Sequence, residues 1–407
     1  MIRARTALAL GSALAMVAPV PAVADTADHR PRAKTHKRID RALQKTFAKY
    51  RASHDLPKKA GILVHTITPA GTWTSTSVLP KSVGRNTHYR VASVSKTFTA
   101  AAVMLLHQRG KLDINHRVAA NIPGTEDAYL PHVPDYDIPY RDQITIRQLL
   151  SHRAGVFDLW NDPIPEDAPV PYAGQYYNAY RAGLTGVDTQ YTVDELANVL
   201  SESRATFGPP DTMYKYSDTG YNLLTKIVQR VSGKPFAAFV QTELLDPMGL
   251  RETTVVTNAY DSGIPAPNVR GWADLANVGW MSVMEDNMSS QVGPGSVIST
   301  PSDIARWMSG LVSGEGPLKP RTVRTMTKIP AGNTTYALGL STTKYGTGHS
   351  GAHPGYINIV QYDAKSKAVV VVLTPFIDYT QPLDDHLALL ETVVEQTRAI
   401  TGYPIPQ

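Results

Sequence analysis

The chain contains no cysteine in 407 residues. Thiol nucleophiles, disulfides, iron–sulfur clusters and cysteine-bound zinc are excluded together. Phenylalanine is scarce, at 7 residues, and charged residues make up only 18%. After residue 24 no apolar run is long enough to cross a bilayer. Basic residues are nowhere interleaved with aromatics in the manner of a nucleic-acid surface, so nucleic acid is set aside as a partner. What remains, with 42% hydrophobic residues, is ordinary globular composition, and it excludes disorder, collagen and coiled coil.

The length suits roughly two to three domains, or one composite domain with a large insertion. Either can bury a full core without a metal or disulfide staple. Residues 1–24 have the form of a secretory signal peptide. Arg3 and Arg5 form a positive start, residues 7–18 are largely apolar, and Ala22-Val23-Ala24 is a small-residue cleavage site. A membrane anchor is the weaker reading, because the run is short and Pro19 and Pro21 interrupt its end. Removing the segment takes two arginines with it, so the net charge of +5 falls to +3. Export after Ala24 predicts a secreted, extracellular protein with no transmembrane anchor after processing.

The remaining surplus is concentrated. Arg30, Arg32, Lys34, Lys37, Arg38, Arg41, Lys45, Lys49 and Arg51 are opposed only by Asp40. A solvated helix face accounts for such a run. Attraction to an anionic cell-wall polymer is the sharper expectation.

Residues 25–36 read as a polar linker. Ile39, Leu43, Phe47 and Tyr50 then recur at helical spacing. Strand candidates follow at 61–68 and 71–78, and a helix at 93–110. Further helices are expected at 192–203, 221–232 and 301–311. Strand character returns at 336–342, 356–363 and 367–375, before a last helix at 383–400. These elements predict an α/β (α+β) fold. An antiparallel sheet is built from both ends of the chain, residues 37–111 and 286–402, with terminal helices on it. Residues 112–285 form a mostly helical inserted domain, and the site is expected where the two parts meet.

Three motifs carry chemistry. Ser93-Val-Ser-Lys96 at a helix start puts Ser93 and Lys96 on one face, one turn apart. A lysine whose pKa is lowered by burial can take the serine proton. Ser95 lies off that face and is expected to be structural. A second copy, Ser341-Thr-Thr-Lys344, falls in a strand, where residues three apart point to opposite faces. The second motif is Tyr216-Ser-Asp218: a tyrosine two residues from a small acid suits proton transfer, and equally a helix cap. The third is Gly348-His349-Ser350-Gly351-Ala352-His353-Pro-Gly355, read as a presumed edge strand. It offers an imidazole, a hydroxyl and a backbone N–H for an oxyanion hole, although a plain turn before a strand also fits. His349 and His353 have no third ligand nearby, so no metal is expected.

In this order the three motifs resemble the Ser-x-x-Lys, Tyr-x-Asn and Lys/His-Thr-Gly elements of the serine penicillin-recognising enzymes. The branch they resemble holds class C β-lactamases, secreted D-Ala-D-Ala carboxypeptidases and related esterases and D-amino-acid amidases. Gly110-Lys-Leu-Asp-Ile-Asn, Ile144-Thr-Ile-Arg-Gln-Leu-Leu-Ser-His-Arg-Ala-Gly155, Leu245-Asp-Pro-Met-Gly-Leu250 and Ser299-Thr-Pro-Ser-Asp-Ile-Ala-Arg306 extend the likeness. The resemblance implies the β-lactamase/penicillin-binding fold and no cofactor. It implies Ser93 as acylated nucleophile, Lys96 as its proton partner and Tyr216 as the base that hands a proton to the leaving group. His349 would support Tyr216 electrostatically. The backbone N–H groups of Ser93 and Ala352 would form the oxyanion hole, with Asp218, Ser350 and Gly351 beside the substrate.

The implied activity is that of a serine hydrolase or acyltransferase, foremost D-Ala-D-Ala carboxypeptidase-like. His349 and the stretch from Ser151 to Asp162 point that way. A carboxylesterase and a D-aminopeptidase or D-amidase are alternatives. A β-lactamase and a catalytically inactive ligand-binding protein rank below them. The substrate would be a small molecule or peptide carrying a D-amino acid or an ester. Three departures bear on this. Asp218 replaces the family asparagine and brings a negative charge toward Lys96. Ser350 and Ala352 replace threonines. Residues 341–344 lack an arginine for a substrate carboxylate, which leaves Lys344 as the substitute.

Overall fold

A computed structural model describes residues 29–405, apart from 260–262 and 276–277. The expected signal peptide and the first residues of the expected linker lie outside the described residues. The described residues hold twelve strands: β1 (Ile62–Thr68), β2 (Gly71–Ser77), β3 (Tyr89–Arg90), β4 (Thr254–Val255), β5 (Trp272–Leu275), β6 (Gly279–Ser282), β7 (Val297–Ser299), β8 (Ser341–Thr343), β9 (Gly346–His353), β10 (Tyr356–Asp363), β11 (Ala368–Thr374) and β12 (Phe376–Asp378). The helices are α1 (His29–Ala52), α2 (Ser95–Gln108), α3 (Ile146–Leu150), α4 (Tyr177–Thr185), α5 (Val193–Ser203), α6 (Asp218–Ser232), α7 (Phe236–Val240), α8 (Asp246–Met248), α9 (Pro301–Ser313), α10 (Pro320–Thr327) and α11 (Leu383–Thr401).

The main sheet runs β2-β1-β11-β10-β9-β8 and is antiparallel throughout. It joins both ends of the chain, as the strand pattern predicts. β11 reads Ala-Val-Val-Val-Val-Leu-Thr, without polar alternation, because both faces of the sheet are covered. Val370 and Val372 enter the core shared with Ile39, Leu43 and Phe47 of α1 and Leu390 and Val394 of α11. Val369, Val371 and Leu373 enter the opposite core, with Phe98 of α2 and Ile304 and Trp307 of α9. The alternation of strand side chains divides these residues between two layers.

Three expectations need correction. Residues 29–36 are helix rather than linker. Pro31 falls in the first turn of α1, where a missing N–H costs no intrahelical bond. That end of α1 also docks on β2, since Trp73 Nε1 donates to the Arg32 carbonyl at 3.3 Å. Residues 336–340 form a turn, not a strand. Gly339 has φ +76°, and its N–H goes to the Leu150 carbonyl in the helical layer. Finally, the inserted part does not run to 285. β5 pairs with β12, β6 pairs with β5, and β4 pairs with β7, so the strands between 254 and 282 belong with the sheet layers.

α2 is buried on every side from Ser95 to Leu106. It is the central helix between the sheet and the helical layer, and it brings Ser93 and Lys96 to their meeting line.

Candidate active site

Ser93 sits in a single helical turn, Ala92–Val94, directly before α2. Two contacts fix that turn. Ser95 Oγ accepts the Val297 N–H at 3.0 Å, so Ser95 is structural as its position predicts. On the other side the turn packs on β9 at Gly351. A Cβ there would lie 2.4 Å from the Val91 carbonyl oxygen, so only glycine lets the strand approach this closely. Ala92 adopts φ +51°, a left-handed conformation for a non-glycine residue immediately before the nucleophile. Such backbone persists only where the surrounding packing imposes it.

Lys96 is completely buried. Its Nζ donates to Ser93 Oγ at 3.1 Å and to the Pro294 carbonyl at 3.1 Å, and it lies 2.6 Å from Asp218 Oδ1. Three acceptors match the three N–H bonds of an ammonium. Loss of one proton leaves two N–H bonds for Asp218 and Pro294, and the lone pair then faces Ser93 Oγ. The pKa of Lys96 is lowered by burial, while Asp218, and more weakly Asp158, pull it back up. The extra carboxylate expected from Asp218 is therefore in contact with the lysine.

Asp218 opens α6 behind its cap. Ser217 Oγ accepts the Gly220 N–H at 3.1 Å, so the cap is Ser217 and Asp218 is free to reach Lys96. A second carboxylate backs it. Asp158 Oδ2 accepts the Asp218 N–H at 3.1 Å, and Asn161 Nδ2 donates to both acids at 2.8 and 3.3 Å. Burial, and then the neighbouring Asp218, push the Asp158 carboxyl up to about 6.

Tyr216 is half-buried, and its ring centroid lies 4.6 Å from Lys96 Nζ. Burial foremost, then Asp218, raises its pKa well above 10, against a side-chain hydrogen bond with Ser93 that lowers it. The resting group is thus a phenol in contact with the nucleophile, a proton donor in waiting.

His349 is buried on β9, with its pKa pushed down to about 4 by burial and then by Lys96. It is a neutral imidazole. Its Nε2 bonds the Tyr336 hydroxyl at 3.0 Å, and its Nδ1 bonds the Ser350 carbonyl. The imidazole to which the resemblance assigns electrostatic support of Tyr216 is therefore uncharged and bonded to Tyr336. Tyr336 stands next to both, its ring edge-on to Tyr216 at 6.1 Å. β8 covers β9 only up to Gly348, so Ser350, Gly351 and Ala352 lie where the outer edge of β9 has no strand among the described residues.

Sequence reasoning missed several members. His152 carries its Nδ1 to the Ser217 N–H at 3.1 Å, and its ring lies 4.1 Å from that of Tyr216 and 4.7 Å from that of Tyr336. Burial first, then Lys96 and His349, holds it well below 6.5. His152, Asp158 and Asn161 all fall in the stretch used above only for resemblance. Tyr336 lies in a turn without a signature. Lys344, the substitute for a carboxylate-binding arginine, is 61% exposed and lies 3.6 Å from Glu395 of α11, so it faces the terminal helix.

Beside Ala352 a cleft of ≈ 570 Å³ opens, with Trp160, Asn161, Asp218, Asp286 and His353 among its walls. The arrangement can hold a carbonyl carbon at Ser93, a lysine base behind it and a phenol toward the leaving group, which is acyl-transfer chemistry.

Solved structures resemble the fold that carries this site. A D-stereospecific amidohydrolase from a Streptomyces species superposes with TM-score 0.68 at 23% identity, over 84% of this chain and 94% of that one. The D-amino acid amidase of Ochrobactrum anthropi SV3 also gives 0.68, at 20% identity, over 90% and 99%. These are likenesses of fold. In sequence, penicillin-binding protein 4* of Bacillus subtilis is 31% identical over 170 residues, 42% of this chain and 31% of that protein. A Salmonella paratyphi A protein named "Putative D-alanyl-D-alanine carboxypeptidase" is 26% identical over 253 residues, 57% of this chain and 52% of its own length. The chain therefore spans between about a third and a half of these two relatives. A family model described as Beta-lactamase matches residues 44–382, a span that takes in every member of the site, and the chain belongs to that family.

Proposed function

We propose that the protein is an exported serine hydrolase that opens a peptide or amide bond of a D-amino-acid compound through an acyl-Ser93 intermediate. The observation that carries the reading is the buried Lys96 Nζ, 3.1 Å from Ser93 Oγ and bounded by Asp218 and the Pro294 carbonyl. In the free-amine form Lys96 takes the Ser93 proton as Oγ attacks the carbonyl carbon. The oxyanion is received by the Ser93 and Ala352 amides. Tyr216 gives its proton to the departing nitrogen, and the Lys96 ammonium restores the phenol. Water then attacks the ester and releases the acid. The names of the two structural neighbours and of the Salmonella relative support a D-residue substrate.

The D-Ala-D-Ala carboxypeptidase reading rests on His349, on the 151–162 stretch and on that relative's name. Carboxylesterase activity is the alternative of the same chemistry. Export rests on the form of residues 1–24. The exposed Lys34, Lys37, Arg38, Arg41, Lys45 and Lys49 of α1 suit work beside an anionic wall polymer.

Mass spectrometry after a fluorophosphonate or penicillin label tests nucleophile and chemistry together. The label is expected on Ser93 and absent from Ser93→Ala. An unlabelled wild type that also turns over no D-Ala-D-Ala peptide, D-amino-acid amide or short ester would leave a ligand-binding protein as the reading.

A further inference from the structure

The cleft beside Ala352 has a charge character of its own. Among the described residues its walls include two carboxylates, Asp218 and Asp286, and neither lysine nor arginine. Asp218 is committed to Lys96 at 2.6 Å. Asp286 is held by His353, whose Nε2 lies 2.6 Å from Oδ2, and its side chain keeps 34% exposure. A carboxylate offers about four lone-pair sites, so one such bond leaves acceptor capacity. The nearby buried Arg90 favours the anion, but its guanidinium donates to the carbonyls of Val283 and Met284. His353 follows Ala352 directly on β9, and a strand advances about 3.3 Å per residue. The Asp286 carboxylate and Ala352, whose amide is expected to receive the oxyanion, line the same cleft. An α-amino group is one carbon removed from the carbonyl bound there.

Resting on the acyl-Ser93 reading above, we propose that Asp286, positioned by His353, is the subsite for a positively charged amino group on the acyl part of the substrate. The enzyme then takes amides or peptides with a free amine. It discriminates against N-acylated ones, and it offers no matching cation in this cleft for a C-terminal carboxylate. A charge-assisted bond to a fixed carboxylate supplies the preference, and acetylation of the amine removes both the charge and the donors.

The test compares kcat/KM of the full chain on D-alanine p-nitroanilide and on its N-acetyl derivative. The free amine is expected to be preferred on the order of tenfold or more. Asp286→Asn should shrink that preference by about tenfold, mainly through KM. Equal use of both substrates by the wild type, or an equal loss on both in Asp286→Asn, overturns the subsite. Protection of Ser93 from a fluorophosphonate by D-alaninamide, against N-acetyl-D-alaninamide, reads the same preference without turnover or a variant. Better protection by the free amine supports the subsite, and equal protection overturns it. A Ser93 that takes no label overturns the acyl-transfer reading instead, so the two failures are distinct.

Discussion

Lys96 Nζ and Asp218 Oδ1 are 2.6 Å apart in a site where the lysine has no exposed surface. The contact couples two opposing effects. Burial favours the free amine needed to accept the Ser93 proton, and Asp218 favours the ammonium. It also aims the lysine, because an N–H committed to Asp218 leaves the lone pair for Ser93.

Asp218→Asn restores the amide found at this position in the family pattern and removes the charge that raises the Lys96 pKa. The free amine then persists to lower pH. The acidic limb of the kcat/KM profile is expected to move to lower pH than in the wild type. A profile between pH 5 and 9 checks this, and an unmoved or upward-shifted limb would show that Lys96 is not the group being read.

Tyr336→Phe deletes the hydroxyl that bonds His349 Nε2 at 3.0 Å and leaves the ring packing around Tyr216 in place. The imidazole loses its anchor, and kcat should fall by about tenfold, the scale of one lost hydrogen bond. Steady-state kinetics with a melting curve separates this from unfolding. Unchanged kcat with a lowered Tm would reduce Tyr336 to a packing residue.

Gly351→Ala pushes a methyl group against the Val91 carbonyl oxygen, 2.4 Å from the ideal Cβ, and against Ala92 Cβ at 3.0 Å. The turn that carries Ser93 must shift. A displacement of that size costs on the order of a hundredfold in rate, while overpacking costs about 1–3 kcal/mol of stability. The rate of Ser93 labelling beside the denaturant midpoint checks both, and a wild-type labelling rate would refute the positioning role of the β9 contact.

Much of the fold was legible because its elements are local in cause. The alternating faces and apolar runs of β1, β10 and β11, the i, i+4 spacing in α1 and the glycine at the end of α6 each lie within a short window. The misplaced limits share one physical reason. Residues 29–36, 254–282 and 336–340 take their conformation from partners far along the chain: β2, β12 and β7, and Leu150.

The candidate site divides in the same way. Ser93 and Lys96 are three residues apart on one helical turn, Ser217 caps α6, and Tyr216 precedes that cap, so helix geometry alone brings each into its local place. The contacts that set their chemistry span the fold. Pro294 reaches Lys96 across 198 residues, Asp158 reaches Asp218 across 60, and Asp286 reaches His353 across 67. Composition and motif order were enough for a hydroxyl nucleophile with a lysine partner. Whether that lysine meets a carboxylate, whether His349 is neutral, and which charge lines the cleft were decided by burial and by long-range packing, because desolvation and pairing exist only once the chain has closed around them.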